Sequence, residues 1–359
     1  MPTTLGPPSI VLVTGANGFI GSHVVSQLLE AGHKVIGSVR SEKKAAQLLA
    51  THNSENLSAS IIQDIASVES ILSALKAVLG PQESISGILH LAAPFSYNVE
   101  DYERDLMSPA VQGSKAILQV AQIHGVRRVV HTNSFACIYD ANAGPSPAKV
   151  YTAQDWSTLT FDDGVAASNA PAAYRAAKAV AEREAFSFMK QTSGLSFDLI
   201  SLCPAMVFGP FLETALPDGP TSINQSNKII WDVVSSGEGS GVPPTKGPVW
   251  VDVRDVAKAH VVALSTHELG ISRLLLAEGV YCNQEIADEA RRLFPAHKSR
   301  IPRGEPGKRE TDKHFKVDAS AEAERLGVTW RKLQDTLQDL IPQLYTIEAG
   351  AGKSGLQLP

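Results

Sequence analysis

A chain of 359 residues, 43% hydrophobic and 19% charged, is long enough for two lobes and apolar enough to fill a large core, which excludes disorder throughout. Its 32 basic and 37 acidic residues leave a net charge of −5 with no basic run longer than a pair, which argues against nucleic acid as a main partner. Apolar stretches stay far below the roughly 20 residues that cross a bilayer, Met1–Pro8 lacks the features of a secretory leader, and Cys137, Cys203 and Cys282 are too scattered for a disulfide framework or a metal site. The expectation is a cytoplasmic protein with no metal and no membrane partner.

Ile10–Thr14, Lys34–Val39, Ser60–Gln63, Gly87–Leu91, Arg128–Thr132 and Phe197–Leu202 read as strands covered on both faces, mostly rich in Val, Ile or Leu. Helical patterns alternate with them. Ile20–Glu30 places Ile20, Val24, Val25, Leu28 and Leu29 on one face, and Ala110–Ile123 behaves similarly. That alternation predicts an α/β fold with a doubly wound parallel sheet, whose ligands sit beyond the carboxyl ends of the strands. After Pro204 the rhythm breaks into the Gly- and Pro-rich stretch Gly209–Pro248, with one helix-like piece, Gln225–Val234. Val249–His260 returns to strand and helix; Glu285–Leu293 and Ala321–Leu326 read as further helices around a polar loop, Ile301–Lys313. Residues 1–204 with the returning segment 249–266 are therefore assigned to the sheet domain. Residues 205–248 and 267–346 are assigned to a smaller substrate-binding lobe, and 347–359 to a flexible tail.

The first strand runs directly into Gly15, Ala16, Asn17, Gly18, Phe19, Ile20 and Gly21, and then into a helix. Glycines there permit a tight turn and bring backbone N–H groups and a helix N-terminus to a pyrophosphate, which marks a dinucleotide site. At the end of the second strand, where a site for NAD carries an acid, the chain has Arg40 with Lys44 close behind. A guanidinium suits a 2′-phosphate, so the cofactor is expected to be NADPH, a solvated helix start being the plain alternative. Asp64 and Ile65, closing the third strand, are the expected adenine contacts.

Tyr174 and Lys178 fall at i and i+4 of an Ala-rich helical stretch, so both side chains can enter one cleft. A lysine cation stabilises a phenolate and brings an otherwise weak acid toward neutral pH. Ser134 follows the fifth strand, where a hydroxyl can hold a substrate carbonyl; Thr132 and Asn133 beside it are the alternatives. Ser134, Tyr174 and Lys178 are the candidate catalytic residues.

These motifs, with His90–Phe95, Cys203–Pro210 and Val251–His260, resemble the extended, atypical short-chain dehydrogenases/reductases over nearly the whole chain. Gly37–Lys44 and Ile301–Gly307 are most similar to the dihydroflavonol-reductase-like branch, in particular fungal NADPH-dependent methylglyoxal, aldehyde and ketone reductases. The resemblance implies a Rossmann fold and phosphate contacts from Gly15 to Ile20. It also implies 2′-phosphate contacts at Arg40 and Lys44, nicotinamide near Ala93, Pro204 and Val207, and a further contact at Ser226. Asn133 stands where relatives usually have Ser, and Ala93 where many have Ser or Thr, which leaves the substrate range open. Phe95, Phe135, Phe208, Phe211 and Trp231 are available to line an apolar substrate pocket, each with core packing as its alternative. The implied activity is reduction of a small-molecule carbonyl by NADPH, in a monomer or homodimer. A hydroxysteroid-dehydrogenase- or epimerase-like enzyme would share the triad, and a non-catalytic dinucleotide sensor would keep only the glycine turn.

Overall fold

The computed structural model describes residues 5–93, 99–140, 142–144, 146–266, 269–310 and 314–354. In chain order the first half contains β1 (Ile10–Thr14), α1 (Phe19–Glu30), β2 (Lys34–Val39), α2 (Glu42–His52), β3 (Leu57–Ile61), α3 (Val68–Lys76), β4 (Gly87–His90), α4 (Ser108–Ile123), β5 (Arg128–Thr132), β6 (Val150–Tyr151), α5 (Phe161–Val165) and α6 (Ala170–Gln191). The second half contains β7 (Asp198–Pro204), β8 (Met206–Phe208), α7 (Gln225–Val234), β9 (Val249–Asp252), α8 (Val253–Ser265), β10 (Ser272–Leu276), β11 (Gly279–Val280), α9 (Asn283–Leu293), β12 (Lys316–Val317), α10 (Ser320–Leu326) and α11 (Leu333–Ser354).

Seven strands form one parallel sheet in the order β10-β7-β5-β4-β1-β2-β3, the expected doubly wound architecture. Successive side chains of a strand face opposite ways, and here each face has its own core. Val11 and Val13 of β1 pack with Val24, Leu28, Val256 and Ala259 under α1 and α8, whereas Leu12 joins Ile88, Ile117, Leu118 and Leu199 under α4 and α6. A second lobe gathers β8, β9 and β11 with α7, α9 and α11 around Phe208, Trp250, Tyr281, Ile286 and Leu340. Among the described residues, no helix is long and apolar enough to cross a membrane.

Most boundaries fall within one or two residues of the sequence reading, and three differences are larger. The third strand starts and ends earlier, at Leu57–Ile61, because only one of its edges is paired and Ser58, Ala59 and Ile61 are not fully buried, so no continuous apolar run marks it. Ser272–Leu276, assigned above to the lobe, pairs with β7 and completes the main sheet. Residues 347–354, assigned to the tail, continue α11, where Ile347 is buried in the second core.

Candidate active site

The crevice is built outward from the end of β1. Gly15 adopts φ +69°, and a Cβ on it would sit 3.0 Å from the Ala92 amide nitrogen. At Gly21 a Cβ would lie 2.2 Å from the Gly15 carbonyl oxygen, so turn and helix can meet this closely only without side chains. Asn17 and Gly18 are exposed at the start of α1, which has neither a side-chain cap nor an acid in its first turn. Uncapped N–H groups and the helix dipole suit a diphosphate. Arg40 and Lys44 are exposed on either side of Ser41, the cap of α2, and Arg40 has no ion-pair partner among the described residues. The cradle and the paired cations fit a dinucleotide carrying a 2′-phosphate. Arg40→Asp is expected to weaken NADPH binding more than about tenfold, because a charge-assisted contact becomes a repulsion. Fluorescence titration measures this, and undiminished affinity would remove Arg40 from the site.

Asp64 is exposed, its carboxylate accepting the Ala66 N–H at 2.9 Å. Ile65, Ala93 and Lys178 line one small space of about 10 Å³, together with His90, His131 and Asn133. The segment after β3, the ends of β4 and β5 and the middle of α6 thus converge. Pro204 closes β7 and Val207 lies in β8, both buried, while Ser226 is half-buried in the first turn of α7.

Helix α6 begins at the cap Asn169, whose side chain accepts the Ala172 N–H at 3.0 Å. Tyr174, Lys178 and Glu182 follow at four-residue steps and share a face. Lys178 is 7% exposed, and its ammonium donates to the Thr132 carbonyl at 3.0 Å. Burial holds its pKa below the ordinary lysine value, while the negative potential of Cys137, Cys203 and Glu182 opposes that fall. Ser134 lies two residues past Thr132, half-buried and extended, accepting the Ala136 N–H at 3.1 Å. Its own proton has no acceptor among the described residues. The alternatives at the strand end are engaged elsewhere: Thr132 bonds to His260 at 2.6 Å, and Asn133 donates to Ser201 at 2.8 Å.

Beneath this site runs a row of polar residues not foreseen in the sequence. Register places Ser60, Ser38, Thr14, His90, His131, Ser201 and Arg273 side by side across all seven strands. The Thr14 hydroxyl accepts the Leu91 and Ala92 N–H groups at 3.1 and 3.0 Å, so its proton goes to His90 Nδ1, 2.8 Å away. His90 is therefore neutral, its pKa lowered to about 3 by burial and by the Lys178 cation. Its ring lies 5.0 Å from that of His131, whose pKa is also far below normal, first through burial and then through His90 and Lys178. Farther along, Arg273 donates from Nη2 and Nε to Glu182 Oε2 at 2.8 and 3.0 Å, and Glu182 Oε1 accepts from Ser201 and from Cys203 at 3.1 Å. Cys137, Glu182 and Cys203 place their ligand atoms within 4.8 Å of one another, with the guanidinium already neutralising the carboxylate.

The aromatic set expected for a substrate pocket does not converge on one space. Phe208 is fully buried between Trp250 and Tyr281, and Trp231 packs edge-on to Tyr345; both are core positions. Phe135 is enclosed by Tyr139, Tyr151 and Phe315. Phe211 packs tilted against Phe19, ring centroids 5.2 Å apart, and lines a groove of about 640 Å³ between the glycine turn, α2 and the 211–224 loop, which does not contain the triad. Phe95 lies outside the described residues.

Residues 11–273 match the family described as the NAD dependent epimerase/dehydratase family. The NADPH-dependent methylglyoxal reductase of Saccharomyces cerevisiae is 33% identical over 94% of this chain and 98% of its own length. A protein of Candida albicans described as a putative NADPH-dependent methylglyoxal reductase is 34% identical, over 93% and 98%. The crystal structure of yeast methylglyoxal/isovaleraldehyde reductase complexed with NADPH superposes with a TM-score of 0.87, at 31% identity over 95% of this chain and 99% of that one. The resemblance and Rossmann fold inferred from the motifs are borne out. A glycine cradle opening β1, seven parallel strands and relatives aligned nearly end to end converge on one conclusion: the chain belongs to the NAD dependent epimerase/dehydratase family, among the extended short-chain dehydrogenases/reductases.

Proposed function

We propose that this protein is an NADPH-dependent carbonyl reductase that converts a small aldehyde or ketone to an alcohol with Ser134, Tyr174 and Lys178. The observation that carries the reading is the bond from Lys178 to the Thr132 carbonyl, which ties the middle of α6 to the strand end bearing Ser134. Gly15 to Gly21 and the cations Arg40 and Lys44 hold the cofactor, which when bound supplies the hydride. The Ser134 hydroxyl donates a hydrogen bond to the substrate oxygen, keeping its proton, and polarises the carbonyl as charge builds there. Tyr174 gives that oxygen its proton, and the Lys178 cation, one turn away, stabilises the phenolate left behind. An acid after β2 would oppose a 2′-phosphate; Arg40 in that place favours the reductase over an epimerase retaining NAD.

The test is NADPH oxidation in the presence of methylglyoxal, other aldehydes, β-ketoesters and aryl ketones. Turnover with at least one carbonyl, and several-fold less with NADH, is expected. NADPH binding without turnover across the panel would favour the dinucleotide sensor.

A further inference from the structure

The Val251–His260 segment supplies nothing to the chemistry above, yet its last residue reaches the triad's support. His260, on α8, is fully buried, with Nδ1 2.7 Å from the Val256 carbonyl and Nε2 2.6 Å from the Thr132 hydroxyl. A carbonyl oxygen only accepts, so Nδ1 carries the proton and Nε2 accepts from Thr132. The same threonine offers its carbonyl to Lys178 on the other side. On the sheet side the ladder to β4 stops at His131, and the peptide is held by β7 alone, its Asn133 N–H donating to the Leu202 carbonyl at 2.7 Å. The Thr132 side-chain bond to His260 is the second restraint on the direction of that peptide.

We infer that His260 and Thr132 are positioning residues: the bond between them aims the Thr132 carbonyl at Lys178 and so sets where the ammonium stands relative to Tyr174. This rests on the triad reading above. Among the described residues that carbonyl is the only hydrogen-bond acceptor of the ammonium. The titratable groups facing Lys178 are His90 and His131 from the sheet, Cys137 and Cys203 at the strand ends, and Glu182 on its own helix. None of them substitutes for the carbonyl as its bonded partner.

The test needs no substrate. Tyrosinate absorbance is titrated in the NADP⁺ complex of each protein and compared with its Tyr174→Phe counterpart, which isolates Tyr174 from the other tyrosines. Lys178→Met raises the Tyr174 ionisation. Thr132→Val, which keeps the shape and removes the hydroxyl, is expected to raise it in the same direction by at least roughly half a pH unit, and Thr132→Ser to restore it. His260→Phe, which keeps a ring and removes the acceptor, gives the same shift by a route that does not alter the strand. A lower melting temperature with the Tyr174 titration unmoved in Thr132→Val or His260→Phe, while Lys178→Met moves it, overturns the inference and reduces the bond to a structural staple. Should Lys178→Met itself leave the titration unmoved, the triad reading falls, and this inference with it.

Discussion

Tyr174→Phe is expected to lower carbonyl reduction by about 10²- to 10⁴-fold while leaving NADPH affinity nearly intact, the usual cost of removing a positioned proton donor. The ring stays, so the packing of α6 against the strand ends is kept; only the hydroxyl goes. Ser134→Ala should share this pattern, because its bond to the carbonyl strengthens as charge develops and the loss appears mainly in kcat. Lys178→Ala differs, weakening cofactor binding together with turnover. Steady-state rates alongside NADPH titrations separate the three, and unchanged turnover in Tyr174→Phe would remove it from the mechanism.

The second large effect is on stability in mild acid. His90 and His260 have pKa values lowered to about 3 and about 4, chiefly by burial, and His131 lies well below its ordinary value for the same reason. Each binds a proton in the unfolded chain near pH 6.5 and refuses it in the folded one, so stability is full above that pH and falls as the solution is acidified toward the folded values. At pH 5 His90 and His260 each cost about 2 kcal/mol, at about 1.4 kcal/mol per pH unit, and His131 acts in the same direction. Buried His23 and His33 and half-buried His52 and His124 lean the same way. The urea midpoint is therefore expected to drop steeply between pH 7 and pH 5, and His131→Asn, though less stable at pH 7, should show a shallower fall. A midpoint that is flat across this range would contradict the neutral-histidine assignment.

What was legible in the sequence was local. The glycine turn, the four-residue step from Tyr174 to Lys178 and Ser134 at a strand end each occupy one continuous segment, where spacing alone states the geometry. Arg273 meets Glu182 from 91 positions away, and His260 meets Thr132 from 128, so no window on the chain contains either pair. Residue type also misled where core and pocket use the same chemistry: Phe208 and Trp231 are aromatic for packing. The strand Ser272–Leu276 carries no local mark of its place in the main sheet, because the chain makes a long excursion through the second lobe before returning to the sheet edge.

The polar row crossing the sheet has a consequence for how the chain finds its strand pairing. Parallel strands are not joined by tight turns, so loop geometry does not dictate their offset, and mostly apolar strands would tolerate sliding by two residues without exposing their cores. Such a slide would set Thr14 beside Ile88 in place of His90. His90 Nδ1 would then lose its donor inside an apolar layer, at roughly 1–3 kcal/mol for each polar group left unmatched. The Thr14–His90 bond thus favours the correct offset of β1 against β4, while Ser201 and Arg273, both bonded to Glu182 of α6, hold β7 and β10 level with that helix. The row acts as an alignment mark, read once during assembly, that brings the strand ends level where the crevice opens.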